Sequence, residues 1–445
     1  MMTAPSTKNS GVALRNLTCT LLGLVLAWAC LACGPHTQRR EALALSGGGN
    51  KLEVPLPEGE TWVSMCVLDG TLFLLGQSVD TALMSTSKRT LLALDPKSGS
   101  VRWQSEFQLP SGGAAIYAND IIAAPNLVIY RADYVFMGLS PKDGAVRWTI
   151  DTQMASARFV GATEQSLFLI EHPALLKSYD LATGQERQRW NLSAQVSMVS
   201  EAWLSTNAKA LTFLGDPGSG GMGEVAAFHL DLENQSATAE ELFRLAYTYD
   251  AQMGVVAPIH FNVNGSPTYG PSDLLGRVST DYTQSKVEVW SAAAKAPIIE
   301  RTFSLQNNDY YSSAYYAPRL FMPGNVVVLQ EPSVDGILLR KVLRLHFVTV
   351  QGEQQQEWTT VLPTMDYIDA TLQSGGLLLL HTRNDMTYAE RWYAVDTAAK
   401  RVLWANRDED LSGQTRAITA DGRRLFLLTT TNWSDSRLSI HTLSP

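Results

Sequence analysis

Cysteine is nearly absent from this chain. There are four among 445 residues, and Cys19, Cys30 and Cys33 all fall in the first 33 positions, leaving Cys66 alone in the remainder. A solitary thiol excludes an internal disulfide framework, so stability has to come from packing. Charge is sparse too, at 18% Asp, Glu, Lys and Arg, and no basic run occurs. Setting aside Lys8 and Arg15 of the leader, the 35 basic residues fall to 33 against 43 acidic ones, a net charge of −10. An acidic chain without a basic stripe is excluded as a nucleic-acid binder and gains nothing from anionic lipid.

Motifs that carry chemistry are missing as well. No G-x-S-x-G nucleophile turn is present. The seven histidines (His36, His172, His229, His260, His346, His381 and His441) show no H-E-x-x-H or other metal-ligand spacing. His229, His346 and His441 fall at comparable places in their segments and read as structural. Cys30-x-x-Cys33 has a metal or redox spacing but sits in an apolar leader. Gly218–Gly223 satisfies G-x-G-x-x-G, which needs a following helix to bind a dinucleotide. Glu224–Leu230 reads instead as a strand, making this a glycine-rich hairpin.

A repeated phrase is what the chain does contain. Leu94-Asp95-Pro96-Lys97-Ser98-Gly99 leads to Trp103, Leu139-Ser140-Pro141-Lys142-Asp143-Gly144 to Trp148, and Tyr179-Asp180-Leu181-Ala182-Thr183-Gly184 to Trp190. A degraded copy, Val395-Asp396 leading to Trp404, follows near the C-terminus. A period of roughly 40–50 residues signals a repeat architecture. The Asp can bind backbone amides round the turn, Pro96 and Pro141 preset φ, and Gly takes a φ > 0 position, the chemistry of a tight β-hairpin. Trp follows the first residue of the turn by eight positions in two copies and by ten in the third. A shift of two keeps strand parity, so the three indoles face one side of their sheets, suited to packing on the next sheet.

Seven short apolar runs precede or replace these hairpins, at Leu72–Leu75, Leu127–Tyr130, Leu167–Ile170, Leu211–Leu214, Val326–Leu329, Leu377–Leu380 and Leu425–Leu428. Runs of this length, bounded by turn residues, read as strands buried on both faces. The unit is then a four-stranded sheet that cannot bury itself alone, and radial stacking answers that need. Units 195–246, 247–306 and 307–363 have weaker motifs. Their third strands are expected at Val225–Leu230, Lys286–Trp290 and Val342–Phe347, and their outer strands at Leu242–Leu245, Glu300–Leu305 and Glu357–Leu362. The last unit, 411–445, lacks an outer strand, whereas Lys51–Leu56 lacks a hairpin partner; pairing the two closes a ring and removes two open edges. The expected fold is all-β, a single propeller of eight four-stranded antiparallel blades over 51–445, with seven blades as the fallback.

The first residues carry an address. A basic n-region with Lys8 and Arg15 precedes Leu21–Ala29, an apolar core too short to span a bilayer, ending in Cys30-Leu31-Ala32-Cys33-Gly34. This resembles a bacterial lipoprotein signal over 1–32, with lipid on Cys33, on Cys30 in the variant cleavage, or an ordinary secretory signal as the alternative. Gly34 rather than Asp resembles lipoproteins sent on to the outer membrane. Two or three acyl chains, at about 0.8 kcal/mol per buried CH₂, make a stable anchor. Residues 33–50, with Ser46-Gly47-Gly48-Gly49-Asn50, read as a flexible tether.

The Leu-Asp-x-x-x-Gly-x-x-x-Trp phrase resembles the repeat of PQQ-like, quinoprotein-type β-propellers. Joined to a lipoprotein signal and eight blades, it is similar to the BamB-type lipoproteins of outer-membrane β-barrel assembly. That resemblance implies a non-catalytic, lipid-anchored scaffold of the cell envelope, a monomeric ring whose partners are envelope proteins, β-barrel assembly components among them. It carries over no partner-docking residue. The family's enzymes use an adjacent Cys-Cys pair over their cofactor; Cys66 stands alone, so no cofactor is expected, and a PQQ-dependent oxidoreductase is the weaker alternative. A surface glycan- or peptide-binding lipoprotein is the other. Asn307–Tyr316 concentrates Tyr310, Tyr311, Tyr315 and Tyr316 among small polar residues, a composition suited to gripping a peptide or sugar. The bland alternative puts Tyr315 and Tyr316 in an inner strand. Arg407-Asp408-Glu409-Asp410 reads as a solvated acidic turn.

Overall fold

The computed structural model describes residues 50–443 apart from 81–84, 109–120, 133, 154–156, 219–223, 235–236, 247–251, 257–258, 261–267, 270, 281–283, 305–318, 324–325, 331–342, 352–353, 363–366, 375, 384–389, 406–413, 423 and 433–434. All regular structure in these residues is strand. Blade 1 is β2 (Thr61–Leu68), β3 (Thr71–Asp80), β4 (Ser85–Leu94) and β5 (Val101–Gln108). Blade 2 is β6 (Ile121–Ala124), β7 (Leu127–Ala132), β8 (Val135–Leu139) and β9 (Val146–Asp151). Blade 3 is β10 (Arg158–Ala162), β11 (Ser166–Glu171), β12 (Leu175–Asp180) and β13 (Glu186–Asn191). Blade 4 is β14 (Met198–Leu204), β15 (Ala210–Asp216), β16 (Glu224–Asp231) and β17 (Glu240–Ala246).

Blade 5 is β18 (Gln252–Val256), β21 (Leu274–Thr280), β22 (Gln284–Ser291) and β23 (Ala296–Ser304), with a small strand pair, β19 (Ile259–His260) and β20 (Thr268–Tyr269), inserted after β18. Blade 6 is β24 (Arg319–Phe321), β25 (Val326–Gln330), β26 (Leu343–Gln351) and β27 (Gln354–Leu362). Blade 7 is β28 (Tyr367–Ser374), β29 (Leu377–Arg383), β30 (Glu390–Asp396) and β31 (Arg401–Ala405). Blade 8 is β32 (Gln414–Asp421), β33 (Arg424–Asn432), β34 (Asp435–Thr442) and β1 (Lys51–Val54), the last supplied by the start of the chain. The count is eight, and all seven apolar runs lie in the second strand of their blade. The expected third and outer strands of blades 4 to 6 fall in β16, β22 and β26 and in β17, β23 and β27. Leu305 and Val342 lie outside the described residues.

Burial follows the blades. Eight apolar clusters each join two neighbouring sheets, so every inter-blade seam has its own core. The seam between blades 8 and 1 sets Val54, Leu438 and Ile440 against Trp62, Leu72 and Leu94. Register confirms the closure: Lys51 pairs with His441 and Val54 with Leu438, antiparallel. The first strands of blades 6, 7, 8, 1 and 2, and those of blades 3 and 4, lie side by side and form the inner wall. Each reverses direction into the next, so turns between first and second and between third and fourth strands share one face. The opposite face carries the second-to-third turns and the connections between blades.

The repeated phrase locks one blade to the next. Asp95 and Asp180 each accept two turn amides, at 2.8 and 3.1 Å for Asp95 and at 3.0 and 2.8 Å for Asp180. Gly99, Gly144 and Gly184 stand at φ of 70°, 72° and 70°, and a Cβ on Gly184 would come within 2.9 Å of Trp148 in the preceding blade. The Trp103 indole donates to the Pro141 carbonyl at 3.2 Å and that of Trp148 to Leu181 at 2.7 Å. In the seam between blades 8 and 1, Val54 takes the place of the indole, against Gly99.

Two degraded turns keep the geometry with a different residue. Asp396 accepts the Ala399 amide at 2.8 Å, and Lys400 fills the glycine position at φ 56°. In blade 5 the Lys295 amide closes the same turn on the Ser291 carbonyl at 2.8 Å, with Lys295 at φ 55°. A side chain in this region costs about 1–2 kcal/mol, partly offset by the lower unfolded-chain entropy of a non-glycine residue. Lys400→Gly is therefore expected to stabilise the protein by roughly 0.5–1 kcal/mol, read as a higher urea midpoint.

Candidate functional site

The end of the inner wall that faces the inter-blade connections is irregular. Register slips in β2, β10, β14, β28 and β32 leave Val63, Val160, Ser200, Asp369 and Arg416 as extra residues near the start of each strand. Such bulges free main-chain groups and re-aim side chains. Neighbouring blades take up some of these groups. Arg158 donates to the Val199 carbonyl at 2.7 Å and to that of Ser200. Arg319 reaches the Ile368 carbonyl at 3.2 Å, while the Ile368 amide donates to Gln330 at 3.0 Å.

On this face a cleft of about 400 Å³ opens between blades 2, 3 and 4. Ile170, Pro173, Met198 and Val199 give it apolar walls, and Arg131, Arg158, Glu171 and His172 bring its charge. Glu171 is buried, and Lys177 meets it at 2.8 Å with both side chains largely shielded, which neutralises the carboxylate. Burial beside that carboxylate pushes the Tyr179 phenol well above its usual range. Arg131 is half-buried at the end of β7, and its guanidinium makes no hydrogen bond or ion pair with any described residue. A shallower hollow of about 240 Å³ lies on the opposite face, between Asn126, Pro141, Arg147, Glu164 and Leu181.

The axis of the ring is crossed by part of blade 5. β19 runs beside β28, in the inner wall of blade 7, and β20 beside β10, in that of blade 3. Blades 3 and 7 are four apart in a ring of eight, so this pair spans the central channel. Its return is tied down: Ser272 donates its amide to the Leu204 carbonyl at 2.9 Å, and the Asp273 carboxylate takes the Thr206 amide at 3.2 Å.

The repeat residues named from sequence sit where the phrase places them, as inter-blade locks and not as a ligand site. Trp148, Trp190 and Trp404 are buried, while Trp103 is half-buried. Hydrogen bonds from Arg102 and the turn amides hold the Asp95 carboxyl well below the usual carboxylate range, and the Thr183 amide and Arg187 lower that of Asp180. The Cys66 thiol is free and buried, and burial pushes it up to about 12, which leaves it inert. His229, His346 and His441 do occupy the third strand of their blades. Burial lowers the His229 pKa and keeps the ring neutral, and His346 and His441 contact Thr359 at 3.3 Å and Ser439 at 3.1 Å. The glycine-rich stretch leads into strand β16, which removes the dinucleotide reading. Among the described residues no group of three His, Cys, Asp or Glu is placed to hold a metal, and no helix is long and apolar enough to cross a membrane. Cys33, Cys30, Tyr310, Tyr311, Tyr315, Tyr316 and the acidic segment 407–410 lie outside the described residues. The cleft was not found from sequence: its residues come from three blades and are separated by up to some seventy positions.

Fold and lock together define the class, an eight-bladed β-propeller whose first blades are joined through a repeated turn and a Trp lock. Residues 68–216 match the family model described as outer membrane protein assembly factor BamB, and that span covers most of blade 1, blades 2 and 3, and the first half of blade 4. The chain thus resembles BamB-type propellers in the blades where the lock is intact. Among solved structures, the Dos1 propeller is 9% identical with a TM-score of 0.50, covering 88% of this chain and 94% of that one. BamB from Moraxella catarrhalis is 11% identical with a TM-score of 0.41, covering 88% and 98%. The quinohemoprotein alcohol dehydrogenase ADHIIG from Pseudomonas putida HK5 is 12% identical with a TM-score of 0.41, covering 88% and 75%. At 9% identity the likeness to the Dos1 propeller is one of fold alone. No curated protein matches the sequence significantly.

Proposed function

We propose that this chain is a non-catalytic, lipid-anchored scaffold of the bacterial envelope. Cys33 holds it to the outer membrane, residues 33–50 tether the ring, and its faces dock envelope proteins, β-barrel assembly components among them. The observation that carries this reading is the BamB family match over residues 68–216, which falls on the intact, Trp-locked blades. The leader supplies the address, and the tyrosines at 310, 311, 315 and 316 supply a composition suited to a protein contact. The test follows the anchor and its partners in one experiment. Wild-type protein is expected in the outer-membrane fraction, with crosslinks to β-barrel assembly components. Cys33→Ser is expected to leave that fraction and lose those crosslinks. Unchanged membrane attachment of Cys33→Ser would overturn the anchor, and crosslinks confined to surface polymers would overturn the scaffold.

A further inference from the structure

The cleft between blades 2, 3 and 4 has a composition that selects its ligand. A guanidinium at a half-buried position is normally paired, because partial desolvation without a counter-charge is costly. Arg131 has no partner among the described residues, although it lines a hollow of about 400 Å³, at the lower end of the volumes that hold small ligands. Its neighbours do not compete for it. Glu171 is neutralised by Lys177 at 2.8 Å, and Arg158 is pinned to the main chain of the Val199–Ser200 bulge. Opposite the charge stands an apolar wall in which Met198 is 43% exposed, a large thioether side chain left in water that adapts to varied apolar partners.

We infer that this cleft binds a peptide through one carboxylate held by Arg131 and one adjacent apolar side chain laid on Met198, Val199 and Ile170. The planar guanidinium matches a carboxylate fork to fork. A phosphate dianion fits less well, because the Glu171 carboxylate stands in the same wall and the Arg158 donors are already committed to the Val199 and Ser200 carbonyls. The carboxylate has two sources with the same chemistry, the end of a chain or an acidic side chain within it. This inference is independent of the lipid anchor and of any named partner.

Calorimetric titration of the folded ring with three acetylated peptides tests it: Gly-Ser-Gly-Ser-Leu as the free acid, the same sequence amidated, and amidated Gly-Ser-Glu-Leu-Gly. The free acid or the Glu peptide is expected to bind at least about tenfold more tightly than the amidated control, the factor carried by a charge-assisted hydrogen bond. Binding of the first alone identifies a chain terminus, and of the second alone an acidic side chain. Arg131→Met, which keeps the aliphatic body, is expected to abolish that tenfold preference at unchanged melting temperature. Equal binding of all three peptides, no binding of any, or displacement by inorganic phosphate more readily than by acetate would overturn the inference. These outcomes are read on the wild-type protein and do not depend on how the variant folds.

Discussion

Replacing Trp148 by alanine is expected to cost about 3–5 kcal/mol, the range for deleting a large buried aromatic. The indole sits between two sheets, packed on Ile129 and Phe136 of its own blade and on Leu167, Leu169 and Tyr179 of the next. Its Nε1 donates to the Leu181 carbonyl at 2.7 Å, so truncation also strands a main-chain acceptor. Relaxation is restricted, because the backbone around the indole is built to its shape: a Cβ on Gly138 across the strand would approach it to 2.2 Å. The cavity therefore stays open, which is the condition for a cost at the upper end. Trp103→Ala serves as the internal comparison. Trp103 is half-buried and its bond to Pro141 is longer, at 3.2 Å, so its loss is expected to cost less than half as much. Urea denaturation of both variants measures the order; midpoints unchanged from wild type would show that the lock does not stabilise the ring.

Trp148, Gly144 and Gly184 also show what the sequence alone makes legible. The phrase encodes a turn, a strand parity and a large aromatic at fixed spacing, and those are local facts, which is why blades 1 to 3 were legible. Blade 5 was harder for two local reasons. Its second strand, β21, interrupts its apolar run with Gly276 and Arg277, so no continuous buried segment appears. Its turn hides the phrase, because Ser291 stands for Asp and Lys295 takes the φ > 0 position. In blade 4 Phe243 stands beside the register slip where Trp103 and Trp148 stand in theirs. The axial strand pair was not legible at all. Two-residue strands carry no periodicity, and what places β19 and β20 is their contact with blades 7 and 3. The cleft belongs to the same kind: Arg131, His172 and Met198 come together only because three sheets pack side by side.

Val54→Asp is expected to destabilise the ring by about 3–5 kcal/mol, because it buries an unpaired charge in the one seam closed by a non-covalent strand. β1 pairs with β34 through four residues only, and its first three are exposed. Val54 alone turns inward, joining Leu438, Ile440 and Trp62 and standing where a Cβ on Gly99 would meet it at 2.4 Å. It therefore does in the last seam what the Trp103 and Trp148 indoles do in theirs, without a hydrogen bond to help. The rest of that seam is lightly polar, with the Trp62 amide donating to Ser436 Oγ at 3.0 Å and the Thr442 amide to the Asn50 carbonyl at 3.0 Å. A carboxylate at position 54 would leave β1 undocked and reopen the edge of β34, exposing a strand free to pair with another chain. Leu52→Asp is the control, since Leu52 lies on the same strand but is exposed, and a change within about 0.5 kcal/mol is expected there. Amide hydrogen exchange in β34 separates the two: faster exchange at residues 438–441 in Val54→Asp and not in Leu52→Asp identifies closure by β1. Equal protection in both variants would mean that blade 8 is held by its own three strands.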